Sequence, residues 1–226
     1  MIFNKSPIHR QTCGFHLLNQ LQRKHTLNTQ ITWSNKMAAA KSLTALEINK
    51  VLQYIEKNQN AQRNRLMFLI TVQAGLRVSE VCDLKIGDVR NAHGTVKSEI
   101  YLAGERVKHN HARTVYVSSR LQQEIADYIA ARNWLFDEQP LFSTNRGSRC
   151  AFTANTMTQH FYWLYKNAGV SGASSHSGRK TFLTSLASQG ISVFVLASLA
   201  GHKSIATTQK YVTVNDDMKR KAVELV

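Results

Sequence analysis

Acidic residues are scarce in this chain. Its 226 residues hold 14 Asp and Glu against 29 Lys and Arg, a formal charge of +15, and no acid stands before Glu47. Such an excess needs counter-charge from outside the chain. It points to a polyanionic partner, nucleic acid ahead of ribosomal, membrane-surface or acidic-protein binding. Cysteine is sparse too. Cys13, Cys82 and Cys150 are odd in number and form no Cys-x-x-Cys pair, which argues against a disulfide framework or a cysteine zinc site and for a reducing compartment. Long apolar runs are missing. None approaches the ~18 residues of a membrane span, and the N-terminus lacks the continuous apolar stretch of a secretory signal. The apolar share, 43%, is still that of an ordinary soluble globule, enough for one sizeable domain, alone or with an arm.

The organisation follows from where pattern begins. Residues 1–41 carry Lys5, Arg10, Arg23, Lys24, Lys36 and Lys41 among polar residues and read as a basic arm, disordered or loosely helical, or else tracking DNA. An organellar transit peptide and a translation start at Met37 are the other readings of this stretch. From Ser42 onward the pattern is that of a folded domain, 42–226. Ser42 or Thr44 can cap a helix with Ile48, Val51, Leu52 and Ile55 on one face. A second helix, NAQRNRLMFLITVQAGL, closes at Gly75, and Val78 to Leu84 reads as a short third with Glu80 and Asp83 exposed or paired. Lys85–Val89, Val96–Leu102 and Arg113–Val117 read as strands, being β-branched or aromatic with partial alternation. The last two flank AGERVKHNHA, the turn of a hairpin. Helices follow over SSRLQQEIADYIAAR, with Leu121, Ile125 and Ile129 at fourfold spacing, and over Thr153–Ala168, with Phe161, Trp163, Leu164 and Tyr165. The fold class is therefore α+β, mainly α-helical, with a small antiparallel sheet.

The segment His176–Val212 gathers polar groups at three helix boundaries. His176 and Arg179 lie three apart at a helix start and share a face. Gly190 closes that helix, Ile191–Ala200 forms the next, and Gly201 closes it with His202 directly after. Ser204 caps a third short helix with Tyr211 near its end. Arg77 stands just past Gly75, and Lys108 near the hairpin tip. Arginines and a lysine suit a phosphate, since guanidinium forks grip non-bridging oxygens bidentately and stay charged. They also neutralise the charge that gathers as a phosphodiester becomes five-coordinate. A tyrosine hydroxyl, with an ordinary pKa near ~10, needs a base or a cationic field to become a nucleophile. A lysine among cations can donate to a leaving oxygen. Taken singly each has a plainer reading: Arg77 in a surface ion pair, His176 and Arg179 in a solvated first turn, His202 as a helix cap, Tyr211 as a half-buried core residue. His109 and His111 form an H-x-H with no acid or cysteine partner, so a solvated turn is preferred over a metal site.

The joint order is more specific. Gly-Leu-Arg-Val-Ser-Glu (75–80), then His176-x-x-Arg179, then Gly201-His202 with Tyr211 nine residues on, resembles the tyrosine recombinase (phage integrase) family over about Ser42–Val226. The resemblance implies the family's catalytic domain, with Tyr211 attacking a DNA phosphodiester to leave a 3′-phosphotyrosyl link and a free 5′-hydroxyl. It implies Arg77 and Arg179 as clamps on the non-bridging oxygens, His176 as base or proton relay, His202 as a phosphate hydrogen-bond partner and Lys108 as proton donor to the leaving 5′-oxygen. Glu80 would orient Arg77, and Asp83 matches a second acid of the family. No cofactor and no metal are implied, because the covalent link conserves the energy of the broken bond. The implied partners are double-stranded DNA, further copies of the chain as a dimer or tetramer on DNA, and accessory DNA-bending proteins, with no membrane. The implied setting is the cytoplasm of a prokaryote, or a viral or plasmid origin.

Departures are visible. Residues 177–180 read Ser-Gly-Arg-Lys, where the family more often has an apolar residue before the arginine, and Gly178 loosens a helix start. The hairpin reads Gly-Glu-Arg-Val-Lys rather than Gly-Lys, so Lys108 is chosen by its place before Arg-Thr-Val-Tyr-Val. A full helical core-binding domain is not evident ahead of residue 42, as in DNA-inverting fimbrial-switch relatives. The C-terminal stretch Asn215–Val226 reads as a helix capped by Asn215, acids first and bases after. In the family such a tail often packs on the neighbouring protomer; folding back on its own domain is the alternative. The function implied is site-specific recombination in integration, excision or inversion of a mobile element. The alternatives are a topoisomerase IB-like nicking-closing enzyme and a DNA-binding integrase remnant.

Overall fold

Thr44 opens the described fold. Its hydroxyl accepts from the Glu47 amide at 3.2 Å, and the Glu47 carboxylate accepts from the Thr44 amide at 3.0 Å. This reciprocal cap satisfies two orphan donors and starts α1 (Ala45–Glu56), which buries Val51 and Ile55. The computed structural model describes residues 40–104, 112–132, 136–144, 150–214 and 216–224, all within one compact unit, Ala39–Val226. The arm expected over 1–41 lies outside the described residues except for Ala40 and Lys41, as do Cys13, Lys108, His109, His111 and Asn215.

The second helix, α2 (Ala61–Gln73), buries every residue from Leu66 to Thr71. A helix apolar on all sides must be covered on all sides. Accordingly α2 packs against α1, α5 (Ser119–Ala130) and α7 (Ser177–Ser188). Gly75, with φ +65°, turns the chain out of α2, and α3 (Val78–Asp83) starts at once behind it.

Lys85–Val89 was expected as a strand and is not one. Lys85 makes only an isolated bridge to Pro140, and Ile86–Val89 forms a single helical turn, α4. The Asp88 carboxylate accepts from the Lys85 amide at 2.8 Å, so a local cap wins over strand pairing. Ile86 and Val89, three apart, then both reach the core. The strand expected from Val96 is shorter, β1 (Glu99–Leu102), because Val96 bridges Arg90 instead. β1 pairs antiparallel with β2 (Arg113–Tyr116) in the register Ile100↔Val115 and Leu102↔Arg113. Ile100, Leu102 and Val115 face the core, while Tyr101 and Tyr116 face solvent, as the strand period of two requires.

The remaining helices follow the apolar pattern with shifts at their edges. In α5 Leu121, Ile125 and Tyr128 are buried, and Ile129 is only half-buried. In α6 (Ala154–Asn167) Phe161, Leu164 and Tyr165 are buried. Trp163 points outward beside Tyr162, with the Lys166 ammonium over both rings. α8 runs Val193–Ala200 rather than from Ile191, because the Ser192 hydroxyl accepts from the Val195 amide and caps it there. α9 (Ile205–Gln209) and α10 (Asp216–Val223) complete the chain. Among the described residues no helix is long and apolar enough to cross a membrane.

The α2–α7 crossing sets the geometry of everything that follows. A Cβ on Gly178 would lie 2.1 Å from the Thr71 hydroxyl oxygen and 2.7 Å from its Cβ. The glycine that looked like a loosened helix start is thus the contact at which two buried helices touch. Gly178→Ala is expected to destabilise the fold by about 1–3 kcal/mol through overpacking, read as a lowered melting temperature and recovered in part by adding Thr71→Ala.

Candidate active site

The site is assembled from helix ends. Arg77 is the residue before α3, two places after the positive-φ glycine that ends α2. Its amide and guanidinium both bind Glu80: N–H to Oε2 at 2.7 Å and Nη1 to Oε1 at 2.7 Å. Glu80 is 2% exposed. Burial alone would raise its pKa, but the charges and hydrogen bonds of Arg113 and Arg77 prevail and hold it below the ordinary carboxylate value. Asp83 lies on the exposed side of α3.

Arg179, in the first turn of α7, is 5% exposed. Its Nη1 donates to the Gly75 carbonyl at 2.6 Å and its Nη2 to the Ala200 carbonyl at 2.5 Å. These are carbonyls left unpaired where α2 and α8 end, the negative poles of two helices. Burial, then repulsion by Arg77 and Arg113, pushes Arg179 down to about 9, and it stays charged at neutral pH.

His202 follows α8. Gly201, at φ +61°, takes the left-handed conformation, with its amide donating to the Ser198 carbonyl and the His202 amide to that of Ala197. This two-bond helix stop fixes where the imidazole leaves the chain. His202 Nε2 lies 3.2 Å from Arg179 Nη2, and Nδ1 lies 2.8 Å from the Thr208 hydroxyl. A guanidinium only donates, so Nε2 is the acceptor, and the proton sits on Nδ1 and goes to Thr208. Burial first, then Arg179, Arg77 and Arg113, lowers His202 to about 4, so the ring is neutral.

Tyr211 comes just after α9, its amide donating to the Thr208 carbonyl at 2.9 Å. Its ring stacks on His202 with centroids 6.0 Å apart and planes 18° from parallel. His176 is the exposed residue immediately before α7. Together Arg77, His176, Arg179, His202 and Tyr211 line one cleft of about 400 Å³, joined by Ala40, Lys180 and Lys210. Of the six residues picked from the sequence, five meet here, and Lys108 lies outside the described residues. Among the described residues no carboxylate lines the cleft. It can bind a phosphate group and present a tyrosine hydroxyl to it.

Thr208, Arg113, Lys180 and Lys210 were not foreseen. Thr208 stands one helical turn before Tyr211, a spacing that places both on one face. Lys180 and Lys210 adjoin predicted residues and could have been found as a local excess of charge. Arg113 looked like a strand's first residue, and nothing in its spacing hinted at a buried ion pair.

A cleft of this kind, built on helix ends beside one antiparallel strand pair, has the cationic lining and the tyrosine hydroxyl that suit a phosphate group. The chain belongs to the phage integrase family, whose sequence model matches residues 41–218. Among curated relatives, the tyrosine recombinase XerA of Pyrococcus furiosus is 32% identical over 186 residues, covering 81% of this chain and 61% of that protein. A tyrosine recombinase XerC of Thermodesulfovibrio yellowstonii is 30% identical over 190 residues, covering 80% of the chain. The chain therefore spans about three fifths of the length of the relatives it matches. Among solved structures, that of XerA recombinase superposes with a TM-score of 0.63 at 26% identity, covering 83% of this chain and 66% of that one. The Tn1549 transposon integrase, solved in complex with a circular intermediate DNA, superposes with a TM-score of 0.66 over 85% of this chain and 68% of that one; at 21% identity the likeness is one of fold.

The His202 assignment has a pH consequence. Its pKa falls from an ordinary 6.5 to about 4 on folding, so the unfolded chain takes up the proton first. The stabilisation tied to the neutral ring is complete above about pH 6.5 and is lost as pH falls towards 4. Melting temperatures recorded from pH 8 to pH 4 should drop through that window, and the drop should be shallower in His202→Gln. His160, also lowered to about 4 by burial, accounts for the part that persists.

Proposed function

We propose that this chain is the catalytic portion of a site-specific DNA recombinase that cuts and rejoins strands through a 3′-phosphotyrosyl link. The observation that carries this reading is the convergence of Tyr211 with two arginines and two histidines on a cleft that, among the described residues, no carboxylate lines. Arg77 and Arg179 grip the non-bridging oxygens of the scissile phosphate, held in place by Glu80 and by the Gly75 and Ala200 carbonyls. Tyr211 Oη bonds to phosphorus as the P–O5′ bond breaks. The tyrosine proton passes to His176, at the exposed rim, and the 5′-oxygen takes a proton from Lys108. On phosphate binding His202 changes tautomer: the Thr208 hydroxyl donates to Nδ1, and Nε2–H donates to a phosphate oxygen instead of accepting from Arg179. The ring, stacked on Tyr211, sets the plane of the nucleophile. The reverse attack by another strand's 5′-hydroxyl restores a phosphodiester and frees the tyrosine. Preorganised donors of this kind act on charge that develops only in the transition state.

Residues 42–226 act as the catalytic domain and 1–41 as a basic arm that follows the DNA backbone. Double-stranded DNA is the substrate, bound by two or four copies with help from DNA-bending proteins in a cytoplasm of prokaryotic, viral or plasmid origin. Self-association draws on the tail: Val223 on α10 is 73% exposed and Val214 before it 62%, an apolar edge suited to a neighbouring copy. A nicking-closing topoisomerase is not favoured, since the relatives that match are named recombinases. An assembled cleft also speaks against an inactive remnant.

The test is covalent capture. Incubated with nicked duplexes from the flanks of its own gene and a chelator, the chain is expected to give a denaturation-resistant protein–DNA adduct. Tyr211→Phe should abolish it, and Arg77→Ala or Arg179→Ala should slow it by roughly 10²–10³-fold. A Tyr211→Phe protein that still forms the adduct would overturn the mechanism.

A further inference from the structure

Arg113 takes no part in the phosphate cleft, yet it is the cation on which both halves of that cleft close. It starts β2, and its side chain is 7% exposed. Nη2 donates to Glu80 Oε2 at 2.7 Å, and Nη1 donates to the Leu199 carbonyl at 2.7 Å. The first bond reaches the carboxylate that holds Arg77. The second reaches the carbonyl next to that of Ala200, which holds Arg179. Two arginines thus take adjacent carbonyls at the end of α8, one from each side, where the helix dipole is most negative. Gly201 is pressed on the same side chain: a Cβ there would lie 2.5 Å from Arg113 Cδ. His202 is the next residue along.

We propose that Arg113 is a positioning residue for the phosphodiester chemistry, presetting Arg77 through Glu80 and the His202 turn through the end of α8. The inference rests on the recombinase reading for its reaction, though not for its geometry. Glu80 is wholly buried, and a buried carboxylate is tolerated only while fully compensated. Arg77 supplies one share of that compensation and must also turn towards a ligand. Arg113 supplies the other and never leaves. With Arg113 in place, Arg77 can be pulled by a phosphate without stranding Glu80. Among the described residues the buried Arg113 Nε has no hydrogen-bond partner, so its position is set by its two Nη contacts and by Gly201 rather than by a saturated network.

The test compares the wild-type chain with Arg113→Lys, Arg113→Met and the double variant Arg113→Met/Glu80→Gln, reading melting temperature, adduct rate at saturating nicked DNA and the DNA concentration at half-maximal rate. Arg113→Met should slow adduct formation by roughly 10²-fold, the scale of a small misplacement of catalytic groups, while half-saturation moves by less than about threefold, because phosphate contacts outside the cleft carry most of the affinity. Arg113→Lys keeps one charge but cannot span Glu80 and Leu199, and should fall between. The double variant removes the unpaired buried carboxylate, so it should regain melting temperature without regaining rate. Recovery of both would reduce Arg113 to a structural ion pair and overturn the proposal, as would a rate unchanged in Arg113→Met. If the wild type forms no adduct, the recombinase reading fails by itself. Inorganic phosphate then serves as probe, followed by the line width of its phosphorus resonance. A roughly tenfold weaker affinity in Arg113→Met, one step of misaligned charge-assisted hydrogen bonding, supports the positioning role. Equal broadening by the two proteins, or none by either, overturns it.

Discussion

A buried guanidinium must find acceptors, and Arg179 finds them in the backbone of two helix ends. It bonds the Gly75 carbonyl behind α2 and the Ala200 carbonyl at the end of α8. The bonds are possible only because α7 lies against α2 with nothing between Gly178 and Thr71. One helix crossing therefore sets the depth of the arginine, the arginine ties down two helix stops, and those stops launch Arg77 and His202. The packing and the chemistry are one set of contacts.

The electrostatics follow the same economy. Among the described residues four cationic side chains, Arg77, Arg179, Lys180 and Lys210, line the cleft and no carboxylate does. The acid that could have neutralised it, Glu80, is placed behind the cleft and spends its oxygens on Arg77 and Arg113. Burial first, and then the nearby cations Arg179, Arg77 and Arg113, keep His202 neutral. The cleft is in this sense charged in advance of a ligand, and a phosphate relieves a repulsion that folding has already accepted.

Much of this was legible in residue order. The helices announced themselves by apolar spacing, the first also by Thr44 as a cap, and the glycines at 75, 190 and 201 marked the stops. Ser192, which moves the start of α8 in from Ile191, was not read as a cap. The five candidate residues that line the cleft, Arg77, His176, Arg179, His202 and Tyr211, were legible because each stands near such a stop or start. Most of what was not legible depended on contacts distant in sequence, the cap over Lys85–Val89 being the local exception. Lys85–Val89 had strand-forming residues, but Asp88 capped the amide of Lys85 and turned the segment into helix. Gly178 looked like a weakness until Thr71, over a hundred residues earlier, was set against it. Arg113 carried no signal because its partners, Glu80 and Leu199, lie on other elements.

The helix that delivers Tyr211 is held to the domain by little. Of its residues, Ile205–Gln209, only Thr208 is buried, and that threonine also receives the His202 proton. The clamp, by contrast, is buttressed by core helices. The two halves of the site are therefore mechanically separable. A pull on the segment after Tyr211 would unseat one peg and shift the tyrosine while leaving Arg77 and Arg179 set. The tyrosine thus sits on a hinged arm, and the arginines and the helix stops that seat them form a frame that need not move with it.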